Sequence, residues 1–157
     1  MNKNKYSIQI SILSGIALLL LDMATKLWVT GAGYKPFVFI KNFFYLTEYQ
    51  TNSGIAFGIS VPMTIQIVGS VVILGILFKI SKEYVFKKDE RLFLKPVLFG
   101  IIIGGAIGNL TDRIFMGHVT DFIVLKPIPV FNIADIGVTV GLIGLLITAF
   151  IQTKHNS

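Results

Sequence analysis

The chain has 157 residues, of which 54% are hydrophobic and 14% are charged, and its mean hydropathy is +0.77. These values exclude an ordinary soluble domain and indicate an integral membrane protein. The absence of cysteine excludes disulfides and thiol catalysis, and two histidines cannot build a tetrahedral zinc cage between them. A net charge of +6 is compatible with nucleic-acid binding, but the positions of the lysines along the chain are better explained by membrane topology. We therefore expect no nucleic-acid partner.

The first apolar stretch covers about residues 7–29 and predicts a membrane-spanning helix. A cleaved signal peptide is the alternative interpretation, because Lys3 and Lys5 precede a short apolar core. The small-residue cleavage site of a signal peptide is missing after Leu21, where Asp22 follows instead. We therefore expect this segment to remain attached as the first span.

Three further apolar stretches, at about 63–80, 94–110 and 133–151, predict three more spans. Basic residues between the second and third of them outnumber the acidic ones; they are Lys79, Lys82, Lys87, Lys88, Arg91 and Lys95. The positive-inside rule places this segment and both termini in the cytoplasm. Residues 30–62 and 113–131 are then expected on the outer face, toward the periplasm or the extracellular surface.

The outer segment at about 31–60 contains two β-prone runs around the turn-like pair Lys41-Asn42. It is rich in aromatic residues, namely Tyr34, Phe37, Phe39, Phe43, Phe44, Tyr45 and Tyr49. These rings suit either the lipid headgroup layer or packing within a small sheet. The predicted fold is one domain, residues 1–157: a membrane all-α bundle of four transmembrane helices with a small extracytoplasmic β-cradle.

Polar residues cluster at the predicted outer ends of the spans, where burial next to lipid is costly; they are Asp22, Lys26, Asn109, Asp112, Arg113, Asp121, Asn132 and Asp135. Ionisable groups in such positions usually face the interior of a bundle and mark function. The predicted topology brings them all to one membrane face. In the third span, the run Gly104-Gly-Ala-Ile-Gly108 predicts close approach of neighbouring helices.

Three short spacings suggest pairs within single helices. Asp22 and Lys26 are four residues apart, which predicts a structural ion pair with the lysine stem directed outward. Asp112 adjoins Arg113, which favours a structural ion pair for Asp112. Asn109 and Arg113 share a helix face, and we expect them to contact a substrate.

The fourth span begins with Asn132 and Asp135 three residues apart, so that both point into the same cleft, although an N-cap is an alternative role for Asn132. Asp121 and Asp135 are joined by a loop with Pro127 and Pro129 that is able to fold back on itself. Two adjacent carboxylates in a low-dielectric site share a proton, and such a pair activates water against a peptide carbonyl. The sequence permits this geometry without requiring it.

Five segments together resemble the lipoprotein signal peptidase family, also called signal peptidase II, over essentially the whole chain. They are Asp22-Met-Ala-Thr-Lys26, Asn52-Ser-Gly-Ile-Ala-Phe-Gly58, Gly104-Gly-Ala-Ile-Gly-Asn-Leu-Thr-Asp-Arg113, Val119-Thr-Asp-Phe122 and Phe131-Asn-Ile-Ala-Asp135. The departures are Met23, where the family commonly has glutamine, and Ile55, where it commonly has alanine.

The resemblance implies an aspartic-type endopeptidase that removes the signal peptide of diacylglyceryl-modified prolipoproteins by cleaving before the lipidated cysteine. It implies catalytic roles for Asp121 and Asp135, and structural support from Asp22 and Lys26. It also implies substrate binding by five residues, which are Asn52, Gly54, Asn109, Arg113 and Asn132. Partners implied are the prolipoproteins, membrane lipids and inhibitors of the globomycin type; no metal or cofactor is implied.

A small proton- or ion-coupled transporter is the alternative from another functional class, since intramembrane carboxylates also serve transport. A transporter needs polar groups at the middle of the membrane. The second and fourth spans carry only scattered uncharged polar residues there, and no continuous polar path is visible.

Overall fold

The computed structural model describes residues 3–52, 61–86 and 93–155. Within these ranges it contains four helices and three strands. The helices are α1 (Lys3–Thr30), α2 (Met63–Tyr84), α3 (Leu94–Phe115) and α4 (Ile133–His155), and the strands are β1 (Phe37–Ile40), β2 (Phe44–Asn52) and β3 (Val119–Leu125). All four helices are long and apolar enough to cross a membrane. The predicted fold class, a four-span bundle with a small sheet, is confirmed.

The third helix extends five residues beyond the expected end near residue 110. It ends where Gly117 adopts a left-handed conformation with φ of 76°, which a residue without Cβ adopts at little cost. Asn109, Asp112 and Arg113 therefore lie on the last helical turns of α3 and not in a loop. Their side chains are held by a regular element.

Small residues let α3 pack closely against both α1 and α4. A side chain at Gly104 would collide with the backbone of Gly15 on α1, and one at Gly105 would lie 2.5 Å from the carbonyl oxygen of Ala134 on α4. Because van der Waals packing drives helix association in lipid, these glycines allow the contact that holds the bundle together. The close approach of neighbouring helices that the glycine run predicted is therefore confirmed.

The outward faces of the helices carry exposed apolar side chains, which suits contact with lipid tails; examples are Leu20, Leu27, Val72, Ile76, Leu146 and Phe150. The second helix is the least enclosed of the four. At its C-terminal end, the hydroxyl of Tyr84 lies 3.1 Å from the Leu145 carbonyl oxygen and 3.0 Å from Thr148 Oγ1. At its N-terminal end it is held by a side-chain contact to α3 that belongs to the candidate site.

The strands form an antiparallel sheet in the order β1-β2-β3. Lys41 and Asn42 lie in the turn between β1 and β2, and Asn42 has a positive φ of 61°. The third strand was not predicted from the sequence, which placed residues 113–131 on the outer face and indicated only a loop between Asp121 and Asp135. It pairs with β2 in a register that includes Gln50 opposite Asp121, so Asp121 lies on a strand.

The aromatic residues at the sheet fall into two groups, one packed against a buried core and one exposed. Tyr34 and Phe44 pack against a small core formed by Val29, Phe122 and Ile123, which joins the end of α1 to β3. All four residues of β1 are exposed although all are apolar, and we expect that edge of the sheet to contact the headgroup layer.

Candidate functional site

The polar residues meet at one end of the bundle, where α1 and α3 end, α2 and α4 begin, and β3 passes across. Their helices and strands run in different directions, yet the side chains form a connected set of hydrogen bonds; its members are Asp22, Lys26, Asn52, Gln66, Asn109, Asp112, Arg113, Asp121, Asn132 and Asp135. Gly54 and Ile55 lie outside the described residues.

Asp121 is presented by β3, which is buried on both faces. Its carboxylate accepts two amide hydrogen bonds: Asn132 Nδ2 donates to Oδ1 at 2.8 Å, and Asn52 Nδ2 donates to Oδ2 at 2.9 Å. Both oxygens are thereby fixed in direction, and the side chain is only 3% exposed. These two amide donors satisfy both oxygens of the buried carboxylate and hold it in one orientation.

Asp135 is the third residue of α4, and its position is set by a reciprocal cap. Asn132 Oδ1 accepts from the Asp135 backbone N–H at 2.9 Å, and Asp135 Oδ2 accepts from the Asn132 backbone N–H at 3.3 Å. Asn109 Nδ2 on α3 donates to Asp135 Oδ1 at 2.7 Å. The N-cap role of Asn132 and its place in the cleft are therefore two parts of one arrangement.

Asn132 joins the two aspartates. Its side-chain amide donates to Asp121, its backbone N–H donates to Asp135, and it is fully buried. Nδ2 also lies 3.0 Å from Asn109 Oδ1, so one amide group orients the next. The structure thus brings Asp121 and Asp135 onto one hydrogen-bonded network, a geometry that the sequence permitted without requiring it.

The pKa of Asp121 is raised from its ordinary value of 3.8 to about 6, mainly by burial and to a smaller extent by the negative charge of Asp135. Hydrogen bonds from Asn52 and Asn132 to the ionised form act against these effects. A carboxyl group with this pKa binds and releases a proton close to neutral pH, as general acid-base chemistry requires. Across residues 3–52, 61–86 and 93–155, no three acidic or histidine side chains are grouped to hold a metal ion.

A buried ion cluster lies behind the pair. Lys26 Nζ lies 2.7 Å from Asp22 Oδ2 and 2.9 Å from Asp112 Oδ2, and the lysine side chain is only 7% exposed. The ion pair with Asp22 was expected, but the outward direction of the lysine stem was wrong. Two carboxylates hold the ammonium group inside the bundle, and this attraction outweighs access to water.

Asp112 pairs across helices with Lys26, whereas the expected partner was its neighbour Arg113. Consecutive residues of a helix point about 100° apart, so Asp112 and Arg113 face different parts of the site. Arg113 Nε instead donates to Gln66 Oε1 at 2.9 Å, and its terminal nitrogen donates to the Asn109 carbonyl oxygen at 3.2 Å.

Gln66 is the site residue that sequence reasoning missed. It was treated as one of several scattered polar residues of the second span, but it is 7% exposed and also donates to the Val61 carbonyl oxygen at 2.7 Å. Its signal in the sequence is its position in the first turn of α2, at the same predicted membrane face as Asn109 and Arg113. The hydrogen bond from Arg113 to Gln66 fixes the start of α2 to the end of α3.

The family model and the curated relatives that match this chain name one family. A family model described as signal peptidase (SPase) II matches residues 15–151. A lipoprotein signal peptidase from Staphylococcus carnosus (strain TM300) is 33% identical over 161 residues, which is 98% of each chain. One from Staphylococcus aureus (strain JH9) is 35% identical over 162 residues, covering 97% of this chain and 94% of the relative.

Two solved structures share the fold, both described as a bacterial membrane enzyme structure by the in meso method. The structure at 2.3 Å resolution has a TM-score of 0.76 and 33% identity, covering 94% of this chain and 90% of that chain. The structure at 1.9 Å resolution has a TM-score of 0.71 and 30% identity, covering 88% and 91%. With the family model matched over residues 15–151 and relatives above 30% identity spanning nearly the whole chain, the protein belongs to the signal peptidase II family, as a multi-pass peptidase of the bacterial inner membrane that processes lipoproteins.

Proposed function

We propose that this protein is an aspartic-type endopeptidase that removes the signal peptide of diacylglyceryl-modified prolipoproteins, cleaving before the lipidated cysteine, with Asp121 and Asp135 as its catalytic residues. The observation that carries the proposal is the double contact of Asn132, whose amide and backbone N–H groups bind one aspartate each. Two carboxyl groups on one buried network suit water activation. The transporter alternative has no comparable support, because the relatives are peptidases.

In the proposed mechanism, the two carboxyl groups share one proton. The ionised carboxylate takes a proton from a water molecule, whose oxygen attacks the peptide carbonyl carbon, while the protonated carboxyl gives its proton to the carbonyl oxygen. Collapse of the tetrahedral intermediate breaks the C–N bond, and the leaving nitrogen takes the proton that came from water. One hydroxyl of the intermediate returns its proton to the carboxylate that had protonated the carbonyl oxygen, which restores the shared proton. The raised pKa of Asp121 favours that residue as holder of the shared proton.

We propose that Asn52, Gly54, Asn109, Arg113 and Asn132 bind the peptide around the cleavage point. The positions of Asn52, Asn109 and Asn132, each donating to an aspartate, support this assignment. Arg113 has five N–H donors on a planar guanidinium, which is fixed by Gln66 and Asn109 and suits peptide carbonyl oxygens. Asp22, Lys26 and Asp112 support these residues from behind.

The proposed orientation places the site on the outer membrane face and both termini in the cytoplasm. The lysine-rich segment between α2 and α3 supports it, since basic loops stay inside. Prolipoproteins anchored in the outer leaflet then reach the site laterally. Membrane lipids and globomycin-type inhibitors, which block the aspartate pair, are the further partners of this proposal.

The test uses purified protein, a lipidated prolipoprotein and a gel-shift assay. We expect Asp121→Asn and Asp135→Asn each to lower cleavage by at least about 10³-fold, since an amide accepts no shared proton. Glu48→Gln is the matched control: Glu48 is an exposed carboxylate on β2 and should keep wild-type activity. We also expect a globomycin-type inhibitor to block the wild type. Cleavage at the wild-type rate by either aspartate variant would refute the assignment.

A further inference from the structure

The residue that precedes each proposed catalytic aspartate donates its backbone N–H to a carboxylate from elsewhere in the fold. Thr120 N–H, before Asp121, donates to Asp112 Oδ2 at 3.1 Å. Ala134 N–H, before Asp135, donates to Asp22 Oδ1 at 2.9 Å. Two unrelated elements, a strand and a helix N-terminus, therefore have the same type of anchor at the same place relative to the aspartate.

The two anchoring carboxylates are joined by one cation. Lys26 Nζ contacts Asp22 at 2.7 Å and Asp112 at 2.9 Å, and the three side chains are 7%, 0% and 14% exposed respectively. A buried ion cluster is weak evidence for stability, because desolvation of its charges offsets most of their attraction. A cluster aimed at two backbone N–H groups beside the reacting acids instead suggests control of geometry.

The anchored N–H groups bear directly on the direction of the acids. The N–H of a residue lies in the plane of the peptide bond that precedes its Cα. One such plane is fixed at Thr120 and another at Ala134, and each restricts the direction in which the chain enters the following aspartate. Charge-assisted hydrogen bonds hold such a plane more tightly than neutral ones. A misplacement of about 1 Å in a catalytic group is enough to cost roughly 10²-fold in rate.

We propose that Asp22 and Asp112 are positioning residues that orient the strand carrying Asp121 and the helix turn carrying Asp135, and that Lys26 locks the two anchors to each other. The inference rests on the proposed function, because it assumes that these two aspartates perform the reaction. Beyond general structural support, it gives Asp112 a defined action on Asp121 and Asp22 a defined action on Asp135.

Asp112 offers a sharp test, because its Oδ2 alone serves both Lys26 and Thr120. Asp112→Asn keeps an oxygen at this position but removes the charge, whereas Asp112→Glu keeps the charge but moves the acceptor by one methylene group. Positioning predicts that Asn, which keeps an acceptor but loses the charge, lowers kcat by about 3- to 10-fold, and that Glu, which displaces the acceptor, lowers kcat by about 10- to 100-fold. KM should change less than about 3-fold in both, since neither contacts the peptide.

The opposite order, with Glu active and Asn inactive, would mean that only the charge matters and would overturn the proposal, as would wild-type kcat in both variants. Folded protein is quantified for each variant by its unfolding transition in detergent, so that kcat refers to native enzyme. Asp121→Asn is assayed alongside. Activity in that variant contradicts the proposed function itself, whereas an inactive Asp121→Asn beside a fully active Asp112→Glu contradicts the positioning role alone.

Discussion

Single side chains in this site perform more than one task, and Asn132 is the clearest case. Its side-chain oxygen caps α4, its side-chain nitrogen orients Asp121, and its backbone N–H binds Asp135. Because Asn132 is fully buried, each polar atom that lost its partner would cost about 1–3 kcal/mol. Asn109 has a similar double role, donating to Asp135 and accepting from Asn132.

The raised pKa of Asp121 makes stability depend on pH in a defined direction. Its folded pKa of about 6 exceeds its ordinary value of 3.8, so the folded state binds the proton more tightly. This contribution is complete below about pH 4 and is lost as the pH rises through about 6. Relative to Asp121→Asn, the wild type should lose about 2 kcal/mol of unfolding free energy between about pH 4.5 and about pH 7.5.

The measurement is unfolding by sodium dodecyl sulfate in mixed micelles at several pH values. Asp121→Asn also places an amide opposite the donors Asn52 and Asn132, which lowers stability by a constant amount. The prediction therefore concerns the slope against pH and not the offset. Parallel curves for the two proteins would show that Asp121 does not titrate in this range.

At the scale of elements, the four helices contribute unequally. The third helix is the most enclosed and packs against α1 and α4 through glycines, so that its last turns enter the site from the middle of the bundle. The second helix is much more exposed and is fixed mainly at its two ends, by Gln66 and Tyr84. The geometry of the site therefore depends on the α1-α3 and α3-α4 contacts far more than on the length of α2.

Two glycine substitutions test this difference. A methyl group at Gly104 would collide with the backbone of Gly15, so Gly104→Ala should lower the unfolding free energy by about 1–3 kcal/mol and reduce activity by shifting α3. Gly75→Ala on α2 is the control, because within the described part of the chain no atom lies within 4 Å of a Cβ at that position. Unfolding in mixed micelles measures both. Equal stability of the two variants would contradict the close packing.

At the scale of the whole molecule, the polar site and the apolar outer surface occupy different levels along the helices. Exposed leucine, isoleucine, valine and phenylalanine side chains cover the middle of the helices. Asp112, Asp121 and Asp135, each of which accepts a hydrogen bond from an N–H group of the site, lie at one end together with the Asp22-Lys26 pair. Lys79 near the end of α2 and Lys95 near the start of α3 lie toward the other end. This distribution is consistent with the proposed outward-facing site.

Cysteine labelling tests the proposed orientation, and the absence of native cysteine makes each single-cysteine variant unambiguous. Lys41→Cys lies in the exposed turn between β1 and β2, and a membrane-impermeant maleimide should label it in intact right-side-out spheroplasts. Lys88→Cys, in the lysine-rich segment, should be labelled only after the membrane is permeabilised. The reverse pattern would place the site in the cytoplasm.

The sequence determined the class of protein, the four spans and the membrane end at which the polar residues meet. Hydropathy over about 20 residues is almost sufficient to identify a membrane span, because the hydrocarbon core of a bilayer contains no water to solvate polar side chains. Asp121 and Asp135 were singled out as candidates, together with Asp22 and Asp112, because a carboxylate beside lipid is rare unless it has a function. The resemblance to the family, and not this argument, implied catalytic roles for Asp121 and Asp135. The turn at Lys41 and Asn42 was also readable, since turn preference is local.

Only the tertiary structure decided which polar groups are partners. The spacing of Asp112 and Arg113 suggested a pair, but the partner of Asp112 is Lys26 on another helix. The predicted outward direction of the Lys26 side chain was also wrong. The strand β3 and the role of Gln66 were missed for the same reason, since both depend on contacts with segments distant in the chain. Local patterns reveal which side chains leave the lipid, whereas hydrogen-bond partners in a buried site follow from how helices and strands cross.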